Sequence, residues 1–293
     1  MHALLEDLLP GPVITDGAWG TQLQMQGLVV GECSDGWNLT QPARVEAVAR
    51  AYIEAGSRAV LTNTFGANRL RLAAHRLGDQ VARINRVGVQ ISRRAAGSWA
   101  RVFASIGPTG GMVRLGETNE AELREVFAEQ AEALAAEGVD ALLLETFSDL
   151  REILPALAAA KATGLPVVAS LVFDSGPSRD RTTMGTTPEQ AVRALIEAGA
   201  DVLGANCGRG IDGFISICRR MRAATDLPLW IKANAGLPEM VGGRAVYRTS
   251  PEQFAARVPD LIAAGAAFVG GCCGSTPAFI AAVVRRLAPG GRR

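Results

Sequence analysis

Short apolar runs alternate with longer amphipathic stretches from one end of the chain to the other. The apolar runs fall at 13–15, 59–64, 102–106, 141–146, 167–173, 202–207, 229–234 and 267–272. Between them lie Ala-, Arg- and Glu-rich stretches with helical periodicity, among them 44–54, 120–137, 150–162, 188–198 and 251–264. Glycines mark where these helices stop: Gly56, Gly138, Gly164, Gly199 and Gly265. Several lead into the next strand in the same way, as in EAGSRAV, AEGVDAL, EAGADVL and AAGAAFV. Strand–helix alternation builds a parallel sheet with right-handed crossovers. Eight such units in 293 residues predict an α/β fold, a single (β/α)8 barrel of the TIM type spanning 1–293 as one domain. A doubly wound sheet is the alternative, but no Gly-x-Gly-x-x-Gly follows the first strand. The longest polar loop, 174–187, is a candidate lid.

Composition narrows the function classes. The chain is 48% hydrophobic and 20% charged, with 30 Lys+Arg against 29 Asp+Glu. That near-neutral balance predicts neither a nucleic-acid nor a membrane-surface partner. No stretch of 18 apolar residues free of charge occurs, and the N-terminus, Met1-His2-Ala3-Leu4-Leu5-Glu6-Asp7, has no basic segment of a secretory signal. The expected location is the cytoplasm. In that reducing setting, five cysteines, two of them adjacent, read as metal ligands or catalysts rather than disulfides.

Barrel enzymes work at the carboxyl ends of their strands. The predicted ends deliver Asp16-Gly17, Thr62-Asn63-Thr64, Gly107-Pro108, Glu145-Thr146, Asp174, Asn206-Cys207, Asn234-Ala235-Gly236 and Cys272-Cys273. Three of the five cysteines therefore meet one rim. Three thiolates suit zinc, and three protein ligands leave the fourth position open for water or substrate, as in a catalytic site. The two histidines, His2 and His75, lie at no strand end. Adjacent residues of an ideal strand face opposite ways, so Cys272 and Cys273 share a metal only if the chain bends, and Gly270, Gly271 and Gly274 permit that. A zinc site of this kind suits a thiol substrate that must lose its proton and stay nucleophilic, since a free thiol has a pKa of about 8.5. Such a thiolate can attack a methyl group.

Other residues have plainer readings. Cys33 and Cys218 read as small buried apolar residues. His75, in RLAAHRLG, reads as a solvated surface residue, and Trp37 as packing; Trp19, beside the first strand, reads as packing or as a pocket wall. Gly274-Ser275-Thr276-Pro277 fits a phosphate site after the last strand or an ordinary helix start. Asp16 and Glu145 suit helix capping or arginine pairing as well as a substrate-ammonium or acid/base role.

With these residues in hand, the sequence resembles the homocysteine S-methyltransferase family over about Val13 to Leu287. The resemblance is carried by Asp16-Gly17-Ala18-Trp19-Gly20-Thr21, Thr62-Asn63-Thr64-Phe65, Gly107-Pro108, Glu145-Thr146, Gly204-Ala205-Asn206-Cys207 and Gly270-Gly271-Cys272-Cys273-Gly274. It implies a (β/α)8 barrel with Zn2+ held at the strand ends by Cys207, Cys272 and Cys273. It implies that Asp16, Gly17 and Glu145 hold the amino-acid end of homocysteine and that Thr64 and Asn206 line the same pocket. The segment Asn234-Ala235-Gly236-Leu237-Pro238 looks like the homocysteine half of cobalamin-dependent methionine synthase, which implies that Asn234 fills the fourth zinc position when substrate is absent. The implied reaction is methyl transfer to homocysteine thiolate, giving methionine.

Two features depart from the pattern. Trp19 stands where a smaller or unbranched apolar residue is expected, on the donor side. The sequence also ends with the barrel, without folate-, cobalamin- or activation domains. The expectation is a free-standing enzyme using a small sulfonium or ammonium donor, or a homocysteine-binding subunit working with a separate corrinoid protein. From other classes, a non-catalytic homocysteine or zinc carrier stays open, as does a barrel lyase or aldolase on a phosphorylated substrate, with Lys232 as its Schiff-base lysine.

Overall fold

The computed structural model describes residues 3–9, 11–110, 119–241 and 244–288. His2 and the first residue of the N-terminal segment lie outside them. The barrel strands are β1 (Val13–Ile14), β2 (Ala59–Leu61), β3 (Arg101–Ile106), β4 (Ala141–Phe147), β5 (Val167–Leu171), β6 (Val202–Cys207), β7 (Leu229–Ala233) and, after a hairpin of β8 (Glu239–Val241) and β9 (Arg244–Val246), β10 (Ala266–Gly271). The eight barrel strands pair in parallel in the order β1-β10-β7-β6-β5-β4-β3-β2. A parallel bridge between Thr15 and Ala59 brings the two ends together, helped by the Arg58 N–H donating to the Ile14 carbonyl at 2.8 Å. The architecture is a (β/α)8 barrel, as the alternation predicts.

The helices fall within two residues of the expected stretches, because their ends carry strong local signals. Thr187 and Ser250 each form a capping box, with Gln190 and Gln253, ahead of Pro188 and Pro251 at the first helical turn. Gly199 and Gly265 follow the helices Pro188–Glu197 and Pro251–Ala263 with φ of 85° and 110°, a conformation that favours glycine.

Each strand sorts its residues between two cores. Outward-facing Val60, Val102, Leu142, Leu144, Val167, Leu203 and Ile231 pack under the helices. Inward-facing Val13, Leu61, Phe103, Leu143, Val168, Val202, Trp230 and Phe268 fill the barrel floor, joined by Leu5 of helix Ala3–Leu8. Trp230 stacks on Phe103 (5.4 Å between ring centroids) and meets Phe268 at 5.2 Å. Because side chains alternate with a period of two, the next inward positions are Ser105, Glu145, Ser170, Gly204, Lys232 and Gly270. One alternation thus closes the floor with apolar bulk and opens the mouth with polar groups.

The pattern did not foresee the antiparallel hairpin inserted between β7 and β10. The 174–187 loop is tied down: Ser175 and Arg181 form a bridge, and Arg220 binds both Asp180 and Glu189. His75 is exposed, and Trp37 is buried with its indole N–H on Glu32 (2.6 Å). Among the described residues, no helix is long and apolar enough to cross a membrane.

Candidate metal centre and acceptor pocket

Cys207 ends β6, while Cys272 and Cys273 follow the end of β10. Cys207 has φ of 68°, a left-handed conformation uncommon for a residue with a side chain, and Thr146, at the end of β4, has φ of 67°. Such conformations persist where surrounding bonds enforce them. Here Asn206 Oδ1 accepts from the Thr146 N–H (2.9 Å), and Asn206 Nδ2 donates to Thr146 Oγ1 (2.7 Å). The Cys272-Cys273 bend is fixed from several sides. The Cys272 N–H donates to the Ala233 carbonyl (2.7 Å), Ser275 Oγ donates to the Cys272 carbonyl (2.7 Å), and the Cys273 carbonyl accepts from the Ala235 N–H (2.9 Å). A Cβ on Gly270 would collide with Thr15 and one on Gly274 with the Tyr247 ring, so the bend needs glycine at both places.

The result is a cluster of three sulfurs within 4.8 Å of one another, with Cys207 Sγ and Cys273 Sγ 3.7 Å apart. Two sulfurs bound to one zinc at about 2.3 Å in tetrahedral geometry lie about 3.8 Å apart, so the cluster already has the shape of a metal-binding face. Among the described residues no other group of His, Cys, Asp and Glu converges in this way. The thiols share their protons. Cys207 is pushed up because it donates to both neighbours, and Cys273 is pushed down because it accepts from both. Cys272 accepts from Cys207 and donates to Cys273, and is held at about 11. Asn234 adds a further fit: its Nδ2 donates to the Gly208 carbonyl (2.6 Å), while its buried Oδ1 has no partner among the described residues. An orphaned buried oxygen is the kind of group a metal can satisfy, and Asn234 adjoins the cysteines through its own N–H, which donates to the Cys207 carbonyl (3.3 Å).

Beside the cysteines a cavity of about 340 Å³ is lined by Gly17, Trp19, Asn63, Phe65, Glu145 and Lys232, among others. Asp16 lies beneath it, fully buried. Its Oδ1 accepts from Lys232 Nζ at 2.5 Å, and its Oδ2 accepts from Trp19 Nε1 (2.7 Å) and from the Leu61 N–H (2.8 Å). Glu145 Oε1 accepts from Ser105 Oγ at 2.5 Å. Burial pushes Glu145 up, Lys232 pulls it back, Cys272 adds to the rise, and the outcome is about 7. Burial alone would lower the Lys232 ammonium, but Asp16 and Glu145 outweigh it and its pKa is raised. Gly17 admits no side chain, since a Cβ there would lie 2.8 Å from Ser275 Oγ and from the Tyr52 ring.

The expected site residues therefore divide. Gly17, Glu145, Cys207, Cys272 and Cys273 line one cavity. Thr64 and Asn206 stand behind its wall, with their polar atoms committed. Thr64 Oγ1 bonds to Thr62 Oγ1 and to the Ser105 carbonyl. Asn206 holds Thr146, accepts from Ser170 and reaches the Cys272 sulfur at 3.9 Å. Ser275 Oγ is likewise spent, on the Cys272 carbonyl and the Ala18 N–H (3.2 Å). Cys33 is half-buried and Cys218 buried, both away from the cluster. Two further residues join the site without belonging to any of the motifs that mark it. Lys232, considered from the sequence only as a Schiff-base lysine, is the one lysine at an inward strand position and lines the acceptor cavity instead. Tyr247, just after β9, lays its ring on Gly274; burial first, then the cysteine charges, push its pKa to about 12. No sequence motif pointed to it.

The model of the family described as homocysteine S-methyltransferase matches residues 13–287. The chain belongs to this family. As a homocysteine S-methyltransferase family member it is 32% identical to methionine synthase of Mycobacterium tuberculosis across 97% of its own length. It spans only a quarter of that relative. It is 27% identical to betaine–homocysteine S-methyltransferase 1 of Rattus norvegicus, covering 98% of this chain and 75% of the relative. Among solved structures, the metallated homocysteine methyltransferase MmuM of Escherichia coli superposes with a TM-score of 0.81 at 25% identity, covering 97% of this chain and 99% of that one.

Proposed function

We propose that this family member is a zinc-dependent S-methyltransferase that converts homocysteine to methionine. The observation that carries the reading is the three-sulfur face of Cys207, Cys272 and Cys273 opening onto a cavity that also holds Glu145 and Lys232. Bound zinc supplies the Lewis acidity that keeps the acceptor sulfur as a thiolate at neutral pH. The chain supplies the rest. Glu145 takes the acceptor's ammonium, and Gly17 keeps the wall low enough for the amino-acid end to seat. Cys207, Cys272 and Cys273 would hold the metal, and Asn234 Oδ1 would be available to it until the acceptor arrives. Asp16, held by Lys232, Trp19 and Leu61, anchors that side of the pocket. The acceptor S–H proton leaves to solvent on binding. The thiolate then forms the new S–CH3 bond as the donor–CH3 bond breaks, its electron pair departing with the donor.

Two donor classes fit. The likeness to betaine–homocysteine S-methyltransferase 1, 75% of which this chain covers, supports a small ammonium or sulfonium donor, with the Trp19 and Phe65 rings as the donor-side walls. The likeness to a quarter of a methionine synthase, together with the Asn234-Ala235-Gly236-Leu237-Pro238 segment, supports a methyl-corrinoid donor. The Schiff-base reading of Lys232 is disfavoured, because Asp16 and Glu145 keep the amine protonated and therefore non-nucleophilic.

The test is a screen of homocysteine against S-methylmethionine, S-adenosylmethionine, betaine and methylcobalamin, with zinc measured on the same sample. Methionine should form with at least one donor, stop on chelation and return with zinc. A protein holding one zinc and homocysteine, yet silent with every donor, would be a carrier instead.

A further inference from the structure

Lys232 is 2% exposed and carries three N–H donors with no acceptor. Buried donors are ordinarily all satisfied. Among the described residues Lys232 makes one hydrogen bond, to Asp16 Oδ1. Asp16 cannot turn to offer its second oxygen, because that atom already serves Trp19 and Leu61. Glu145 acts on Lys232 through space, but its hydrogen bond is to Ser105, and the lysine's ion pair is with Asp16 alone. Two ammonium protons are thus uncommitted on a residue that lines the cavity.

We propose that Lys232 is the receptor for the carboxylate of the acceptor amino acid, with its two free N–H donors gripping that group while Glu145 takes the ammonium. This deepens the homocysteine reading of the pocket and rests on it. The charge pattern favours the arrangement. Asp16 and Lys232 cancel, and Glu145 is left to face a cation. A zwitterion meets both poles with opposite charge. An aminothiol without the carboxylate brings a second ammonium up to Lys232 with no anion between them. A group that merely anchored Asp16 would show no such discrimination.

The experiment uses the zinc-loaded protein and three thiols: homocysteine, 3-aminopropane-1-thiol, which lacks the carboxylate, and 4-mercaptobutanoate, which lacks the amine. In the wild type both truncated thiols should bind more weakly than homocysteine, since each lacks one of the two charge contacts; an aminothiol that binds as tightly as homocysteine overturns the proposal without any variant. In Lys232→Met the KM for homocysteine should rise roughly 10- to 200-fold, the loss of one charge-assisted contact, with kcat changed only a few-fold. The aminothiol should lose clearly less than homocysteine does, because only homocysteine brings a carboxylate to Lys232. The Asp16→Asn, Lys232→Met double variant removes both members of the buried ion pair and decides the matter if the single variant folds poorly. Equal losses for homocysteine and the aminothiol, or no loss for either, would overturn the assignment. Failure of the wild type to methylate homocysteine with any donor would remove the underlying reading instead.

Discussion

On β3, β7 and β10 the inward positions nearest the floor are Phe103, Trp230 and Phe268, and two residues further along they are Ser105, Lys232 and Gly270. The same strands, in the same register, build two regions of opposite character. The floor is held by contact area, which is non-directional and forgiving of small changes in shape. The mouth is held by hydrogen bonds and paired charges, which fail when one partner is lost. It also carries the left-handed backbone of Cys207 and Thr146. Function is concentrated where the fold is costliest to maintain.

The sharpest way to break that comparison is to damage each region once. Cys207→Ser should lose most of the metal and essentially all activity. Cys33→Ser and Cys218→Ser should keep both, and Trp230→Ala should keep metal in every folded molecule while losing about 3–5 kcal/mol of stability. Elemental analysis and urea unfolding separate the cases. Full metal occupancy in a Cys272→Ser, Cys273→Ser double variant would sink the metal assignment.

The second effect tests charge pairing. Lys232→Met leaves Asp16 buried without a counter-ion and should cost about 3–5 kcal/mol. Adding Asp16→Asn should restore much of that, because the orphaned charge is gone. Equal stability of the single and double variants would show that the loss comes from altered packing and not from the stranded charge.

The third is a pH profile. Glu145 must be ionised to hold an ammonium, and its pKa lies near 7 in the empty pocket. Affinity for methionine, which has no thiol proton to confuse the reading, should therefore rise as pH passes from 6 to 8. Glu145→Gln should flatten the profile and weaken binding throughout. The linkage to stability runs the other way: a buried acid raised from 4.5 to about 7 favours folding at low pH, and that advantage fades as pH rises through 7. The smallest effect belongs to Tyr247→Phe. It removes a hydroxyl close to the cysteines but no sulfur, so metal should stay bound while turnover shifts only several-fold.

Much of this was legible in the sequence, for physical reasons. The eight strands announced themselves because a strand covered on both sides is apolar throughout, and the capping boxes and terminal glycines fixed the helices. The cysteine rim followed from knowing where strands end. Contacts across the barrel did not. Asp16 and Lys232 are 216 residues apart, and nothing local marks them as partners. Thr64 and Asn206 sit at strand ends as expected, yet they face the supporting network rather than the cavity, a distinction that depends on side-chain direction. The β8–β9 hairpin had a signal, Gly242-Gly243 between two short runs, but strand–helix alternation masked it. With it went Tyr247.

The join between β1 and β2 rests on the single Thr15–Ala59 bridge and a few flanking hydrogen bonds, one of them from the Leu61 N–H to the carboxylate of Asp16. A hoop opens where its ladder is shortest, so this seam is where the barrel should breathe most readily. The carboxylate that shapes the pocket is also a rivet in that seam. Filling the pocket should therefore slow amide hydrogen exchange at Leu61, while amides such as Phe103 and Leu142, deep in the ladder, exchange only when the whole molecule unfolds. The backbone would then report occupancy of the site from within, with no label attached.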